Sequence, residues 1–193
     1  MARVRRGRSA APLLLCLMLG CSVLAHAAPA AEPIADEYQV KAAFLFNFAK
    51  FVEWPSEAFS DPNAPLVITI FGDDPFNRSL EAVKGKLVNS RKLTIRRVKD
   101  IQDIGKSNVL FVGPSAKKEL ARILDAFQDQ SVLTVGEDRI FTQCGGIINF
   151  VKEDNRVCFE VNVSAAERAG LKISSRLLAL ARIVKSPAQG GGK

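Results

Sequence analysis

Histidine is almost missing from this chain. The one imidazole, His26, lies in an N-terminal export segment, so removal of that segment leaves none. That excludes Ser-His-Asp and Cys-His catalysis and any His-ligated metal. Cysteine is scarce too. Of four, Cys16 and Cys21 fall in the same segment, and only Cys144 and Cys158 remain. No Walker, CxxC or GxSxG motif occurs, and no internal repeat. Strong charge of one sign is also lacking. Without Arg3, Arg5, Arg6 and Arg8 of the export segment, 23 basic residues face 20 acidic ones, and the formal charge falls from +7 to +3. A chain so balanced gives no case for nucleic-acid binding.

The start of the chain reads as an address. Four arginines form a basic n-region, residues 10–25 an apolar h-region, and Ala25-His26-Ala27 a small-x-small cleavage site. Residues 1–27 are therefore expected to be a cleaved signal peptide, too short and wrongly flanked for a membrane anchor. Leu19-Gly20-Cys21 also resembles a lipid-attachment box, but Met18 and Leu19 fit that box poorly, so a lipoprotein at Cys21 ranks second. Residues 28–35 read as a disordered Pro/Ala-rich leader, 36–185 as one domain and 186–193 as a flexible tail. The composition, 48% hydrophobic and 24% charged, is ordinary for a globular domain.

Within the domain, Asp36 is expected to cap a helix over residues 36–54, stopped by Pro55. Tyr38, Val40, Phe44, Leu45, Phe48, Phe51 and Val52 cover most of its wheel, so it is mostly buried. Lys41 breaks the apolar side and reads as a snorkelling lysine. Phe46 breaks the polar side, either as a scattered surface residue or as a contact for a partner. Strands are expected at 66–71, 92–98, 109–112 and 131–135. Helices are expected from Pro75 to about residue 84 and from Ser115 to about residue 127. Strands alternating with helices argue for parallel βαβ units.

Residues 144–184 carry the most specific pattern. Two apolar runs flank Asp154-Asn155, a natural hairpin turn. A two-residue loop there sets Val151 opposite Cys158, Phe150 opposite Phe159, and Asn149 opposite Glu160. One hairpin face is then apolar: Ile148, Phe150, Val157, Phe159 and Val161. The other bunches Asn149, Glu160 and Asn162 among Ile147, Val151 and Cys158. A last helix is expected over 174–184, with Leu177, Ala181 and Val184 on one stripe. The expected fold is α/β: a single domain with a mixed, mostly parallel sheet of about six strands flanked by helices, closed by a hairpin and helix.

Two sites offer chemistry. Gly72-Asp73-Asp74 ends a strand where α/β proteins bind ligands, and two carboxylates could hold Mg²⁺. Asp74 before Pro75 is more simply a cap. The polar hairpin face is the stronger candidate, because a carboxylate inside a strand must be solvated or paired. Lys172, Arg176 or Lys41 are the expected partners of Glu160. The groove is then Asn149, Glu160, Asn162, Lys172 and Arg176, for a ligand or a partner. An even cysteine count in an exported chain reads as one disulfide, Cys144 to Cys158. A straight strand holds them too far apart. The bond requires the chain to reverse at Gly145-Gly146, so that residues 140–144 fold over the polar face. Two free thiols, or a bond between subunits, are the alternatives. No metal or cofactor is expected.

Several stretches carry a family resemblance: YQVKAAFLFNFAKFVEWP (38–55), IFGDDPF (70–76), VLFVG (109–113), and GGIINF, FEVN and AGLKISSRLLALARIV between 145 and 184. The chain resembles the YfiR-like family. That resemblance implies a periplasmic α/β repressor, not an enzyme. Its partner would be the periplasmic domain of an inner-membrane diguanylate cyclase, its effect low cyclic-di-GMP, and its release by redox or envelope stress would promote biofilm. The founding member is disulfide-bonded at two places. Here Ser107-Asn108 precede the strand at Val109 without a cysteine, which weakens the implied redox switch. The competing readings are a small-ligand sensing module without a cyclase, and an enzyme using Asp73 and Asp74. A homodimer is compatible with each.

Overall fold

Helix α1 (Pro33–Phe51) opens the part of the chain, residues 33–185, that the computed structural model describes. The expected signal peptide with Cys21, the start of the leader, and the tail lie outside the described residues. α1 begins ahead of Asp36 and stops short of Trp54. It stops because Val52–Glu53 (β1) pairs antiparallel with Lys172–Ile173 (β9).

Among the described residues the main sheet has eight strands. β2 (Leu66–Phe71), β3 (Leu87–Val88), β4 (Arg91–Val98), β5 (Val109–Val112), β6 (Leu133–Gly136), β7 (Ile148–Glu153), β8 (Arg156–Asn162) and β10 (Arg182–Val184) lie in the order β10-β8-β7-β6-β5-β2-β4-β3. From β4 through β2, β5 and β6 to β7 the pairing is parallel. The β7–β8 hairpin is antiparallel, and β10 returns parallel to β8. The fold is thus the mixed, mostly parallel α/β sheet that the alternating pattern implies. β3 and β10 are the strands beyond the expected six, each too short to show a period.

Side-chain alternation divides the core. Ile68, Ile70, Phe111, Val135, Phe150 and Phe159 face α1, where Leu45, Phe48 and Ala49 cover them. The Phe48 ring lies 5.0 Å from that of Phe159 and 5.6 Å from that of Phe150. Burying such a ring contributes about 1.5–3 kcal/mol. On the opposite face, Phe71, Leu110 and Val112 pack with Phe141 and with Ile123, Leu124 and Phe127 of α2 (Leu120–Phe127). The sheet is therefore covered on both sides, as a parallel sheet requires.

Three expected helices take other forms. After Pro75 the chain makes successive turns, because Asn77 has φ +49° and interrupts any helix; Phe76, Leu80 and Val83 are buried all the same. Beyond Gly113 a 3₁₀ segment (Pro114–Glu119) precedes α2, with Pro114 in the first turn and Ser115 used elsewhere. At the end of the chain, α4 (Ser175–Leu178) is a single turn capped by the Ser174 hydroxyl. The β-branched Ile183-Val184 pair then extends as β10 instead of continuing the helix. Between them and the hairpin lies α3 (Val163–Arg168), whose first turn is capped by Asn162.

Candidate functional site

The hairpin turn fixes the site. Asp154 and Asn155 have φ of +47° and +60°, the left-handed pair that a two-residue hairpin loop needs. The register follows: Asn149 opposite Glu160, Phe150 opposite Phe159, Val151 opposite Cys158. Because strand side chains alternate, Asn149, Glu160 and Asn162 share one face, and all three are buried.

A loop covers that face. It leaves β6 at Glu137, passes Phe141 and Thr142, and reverses at Gly145, where φ is +94°. The Phe141 ring lies between Gly136 and Gly146 so closely that a Cβ at either would stand 2.2 Å from it. Thr142 Oγ1 donates to Glu160 Oε1 at 2.9 Å, and Asn162 Nδ2 donates to the Thr142 carbonyl at 3.1 Å. The chain thus folds back over the polar face as expected, but the expected covalent tie is not formed. Cys144 and Cys158 are both free thiols, each partly exposed. Hydrogen bonds from Thr142 and Asn162 hold the loop in place of a disulfide.

The basic partner of Glu160 is also not one of those expected. Arg182 Nη2, on the neighbouring strand β10, donates to Glu160 Oε2 at 2.8 Å, while its Nη1 donates to Glu153 at 2.8 Å. The hydrogen bond to Glu160 is the main reason the Arg182 guanidinium is held above its usual value. Lys172 stands on β9 opposite Glu53, and Arg176 on α4; both are exposed, and neither forms an ion pair within 4 Å among the described residues. They are too far along the chain from β10 to share its register with β8. Arg182 escaped sequence reasoning because it was placed in a helix.

Lys41 does not snorkel. It is 5% exposed and enclosed by carboxylates: Glu37 at 2.6 Å and Glu137, which it contacts directly. Tyr38 donates to Glu137 Oε1 at 2.9 Å. Burial, reinforced by the Glu137 charge, pushes the Tyr38 phenol well above its ordinary range. Glu37 also receives Lys152 at 3.0 Å, and its carboxyl is held low, first by the Lys41 hydrogen bond. Phe46 is half-buried against the core edge, with the ammonium groups of Lys50 and Lys86 within 6 Å of its ring.

Between these two networks lies a cavity of about 350 Å³, lined by Glu137, Arg139, Asn149, Lys152, Glu160 and Arg182 among others. The residues that sequence reasoning missed, Glu137 and Arg139, follow directly on β6. A charged pair just past the carboxyl end of a parallel strand is the signal that could have found them.

The Asp73-Asp74 corner is occupied differently. β2 and β5 form the switch point of the sheet, and there the Asp73 N–H donates to the Ser115 hydroxyl at 2.8 Å. Asp74 accepts from the Phe76 N–H at 2.8 Å and pairs with Arg97 at 2.5 Å. Its carboxylate is committed to the turn. Among the described residues no three His, Cys, Asp or Glu side chains converge on a metal position, and no helix is long and apolar enough to cross a membrane.

Comparison with solved structures supports the fold alone. A conserved domain protein from Vibrio cholerae O1 biovar El Tor superposes with a TM-score of 0.52 at 12% identity, over 77% of this chain and 60% of that one. An ABC domain from Streptococcus pneumonia, solved in complex with L-Trp, superposes with a TM-score of 0.49 at 10% identity over the same shares. The chain therefore spans about 60% of the length of these structures. No curated protein matches it. The family described as YfiR/HmsC-like matches residues 38–182, most of the chain and all of the sheet but its last residues, and the chain belongs to that family.

Proposed function

We propose that this protein is a periplasmic negative regulator that binds the periplasmic part of an inner-membrane diguanylate cyclase and restrains cyclic-di-GMP synthesis. The observation that carries the reading is the family match over residues 38–182, a family that suggests periplasmic regulation of diguanylate cyclase signalling. Export through a cleaved segment at residues 1–27 agrees with it. On this reading the protein acts by binding.

Deletion of the gene in its own host, with cyclic-di-GMP and surface attachment measured, tests this. Both rise on deletion and return to normal when the exported protein is restored. They stay unchanged if the protein acts elsewhere, provided that the host expresses a membrane cyclase with a GGDEF domain. A second reading, a small-ligand sensing module, is favoured by the composition of the cavity beside Glu160.

A further inference from the structure

Two groups in that cavity lack a direct hydrogen-bond or ion-pair partner among the described residues. Asn149 is 1% exposed, and its Nδ2 donates to Glu160, but its Oδ1 accepts no hydrogen bond among the described residues. A buried acceptor without a donor is costly, so the position calls for an N–H or O–H. Arg139 stands exposed at the rim and forms no ion pair within 4 Å among the described residues. Its neighbour Asp138 feels the Arg139 charge, but its ion pair, at 3.1 Å, is with Lys117.

The other charges of the cavity satisfy one another. Glu137 holds Tyr38 and Lys41, Lys152 holds Glu37, and Arg182 holds Glu153 and Glu160. What the cavity offers, among the described residues, is a cation without an ion pair within 4 Å, Arg139, and a buried acceptor without a donor, Asn149 Oδ1. The cavity lies just past the carboxyl end of β6, against the stretch of β7 from Asn149 to Lys152, and the end of a parallel strand is where open α/β folds take ligands. Its size, about 350 Å³, suits a small molecule.

We infer that this cavity binds a small carboxylate that also carries a hydroxyl or ammonium donor, that is, a hydroxy acid or an amino acid. The carboxylate pairs with the Arg139 guanidinium, and the donor satisfies Asn149 Oδ1. A plain anion leaves Asn149 unpaired, and a plain alcohol or amine leaves Arg139 unpaired. Occupancy would be felt by α1, because Glu137 in the cavity wall is the group that anchors Tyr38 and Lys41. The site does not depend on a cyclase partner.

Lactate, alanine and propionate share one carbon skeleton and differ at a single substituent: hydroxyl, ammonium or hydrogen. Titrating each into the exported protein, followed by calorimetry and by the NMR signal of the Asn149 side-chain amide, tests the inference. Lactate or alanine binds saturably and shifts that amide, whichever binds more tightly naming the donor. Propionate binds roughly tenfold more weakly or worse. Arg139→Ala, at an exposed position that leaves the fold intact, weakens the preferred probe by a similar factor. Asn149→Leu, if folded, removes the preference over propionate. The inference is overturned if neither lactate nor alanine moves the amide. Equal affinity for propionate, or full affinity in Arg139→Ala, overturns it as well.

Discussion

Arg182 reaches from the edge strand β10 to the buried carboxylate of Glu160, 2.8 Å away on β8, and ties the last strand of the sheet to the hairpin. The pairing explains why a carboxylate that is 7% exposed survives in the middle of a strand. Glu160 meets three donors: Arg182, Thr142 and Asn149.

Removing the arginine leaves that charge without its ion partner. Breaking a fully buried pair costs roughly 3–5 kcal/mol. Arg182 is itself half-exposed, so water replaces part of the loss, and Arg182→Met is expected to destabilise by about 1–2 kcal/mol. Chemical denaturation measures it. In the Glu160→Gln background the same substitution costs less, and a double-mutant cycle with no coupling between the two sites refutes the pairing.

The loop over the polar face depends on a glycine and not on a cysteine. Gly146→Ala places a methyl group 2.2 Å from the Phe141 ring, which is fully buried and has no room to retreat. Overpacking of this kind costs about 1–3 kcal/mol. Because Thr142 is carried by the same loop, the variant also loosens the cover on Glu160. Faster hydrogen exchange at residues 140–146 is the expected sign, with α1, on the opposite face of the sheet, unaffected. Exchange unchanged in that loop shows that the ring can shift freely.

What was legible in the sequence was local. The hairpin register followed from Asp154-Asn155, because two left-handed residues define a two-residue loop without reference to the rest of the fold. The buried strands at 66–71 and 109–112 declared themselves as unbroken apolar runs. The reversal at Gly145 followed from counting residues between Cys144 and Cys158, although the bond that motivated the count is not formed. What was not legible was tertiary. Leu177, Ala181 and Val184 have helical spacing, yet the free edge of β8 draws residues 182–184 into a strand. Lys41 stood out on an apolar stripe, but its partner Glu137 lies 96 residues away and no periodicity points to it. The same blindness hid the cavity, which is assembled from the loop after β6, from β7 and β8, and from the start of β10.

The Lys41 network gives the protein a defined response to acid. Lys41 pairs with Glu37 and Glu137 under cover of Tyr38, and the Glu37 carboxyl is held below its ordinary value, first by its hydrogen bond to Lys41. Asp138, at the start of the covering loop, is also held low, chiefly by the Ile140 N–H. A carboxyl whose value is depressed on folding contributes stability above its unfolded value, and that contribution disappears as pH falls through the folded one. Stability is therefore expected to hold from neutral pH down to about pH 4, the ordinary carboxylate range, and to decline below it. Lys41→Met removes the cation that depresses Glu37 and leaves Glu137 buried without it. That variant is less stable at neutral pH by about 3 kcal/mol. It also loses less on further acidification, because the largest of the contacts that hold Glu37 low is gone and only Lys152 remains. Denaturation midpoints of both proteins at pH 7 and at about pH 3 decide the matter. Parallel pH profiles mean that Lys41 is a packed amine whose charge does not matter to the fold.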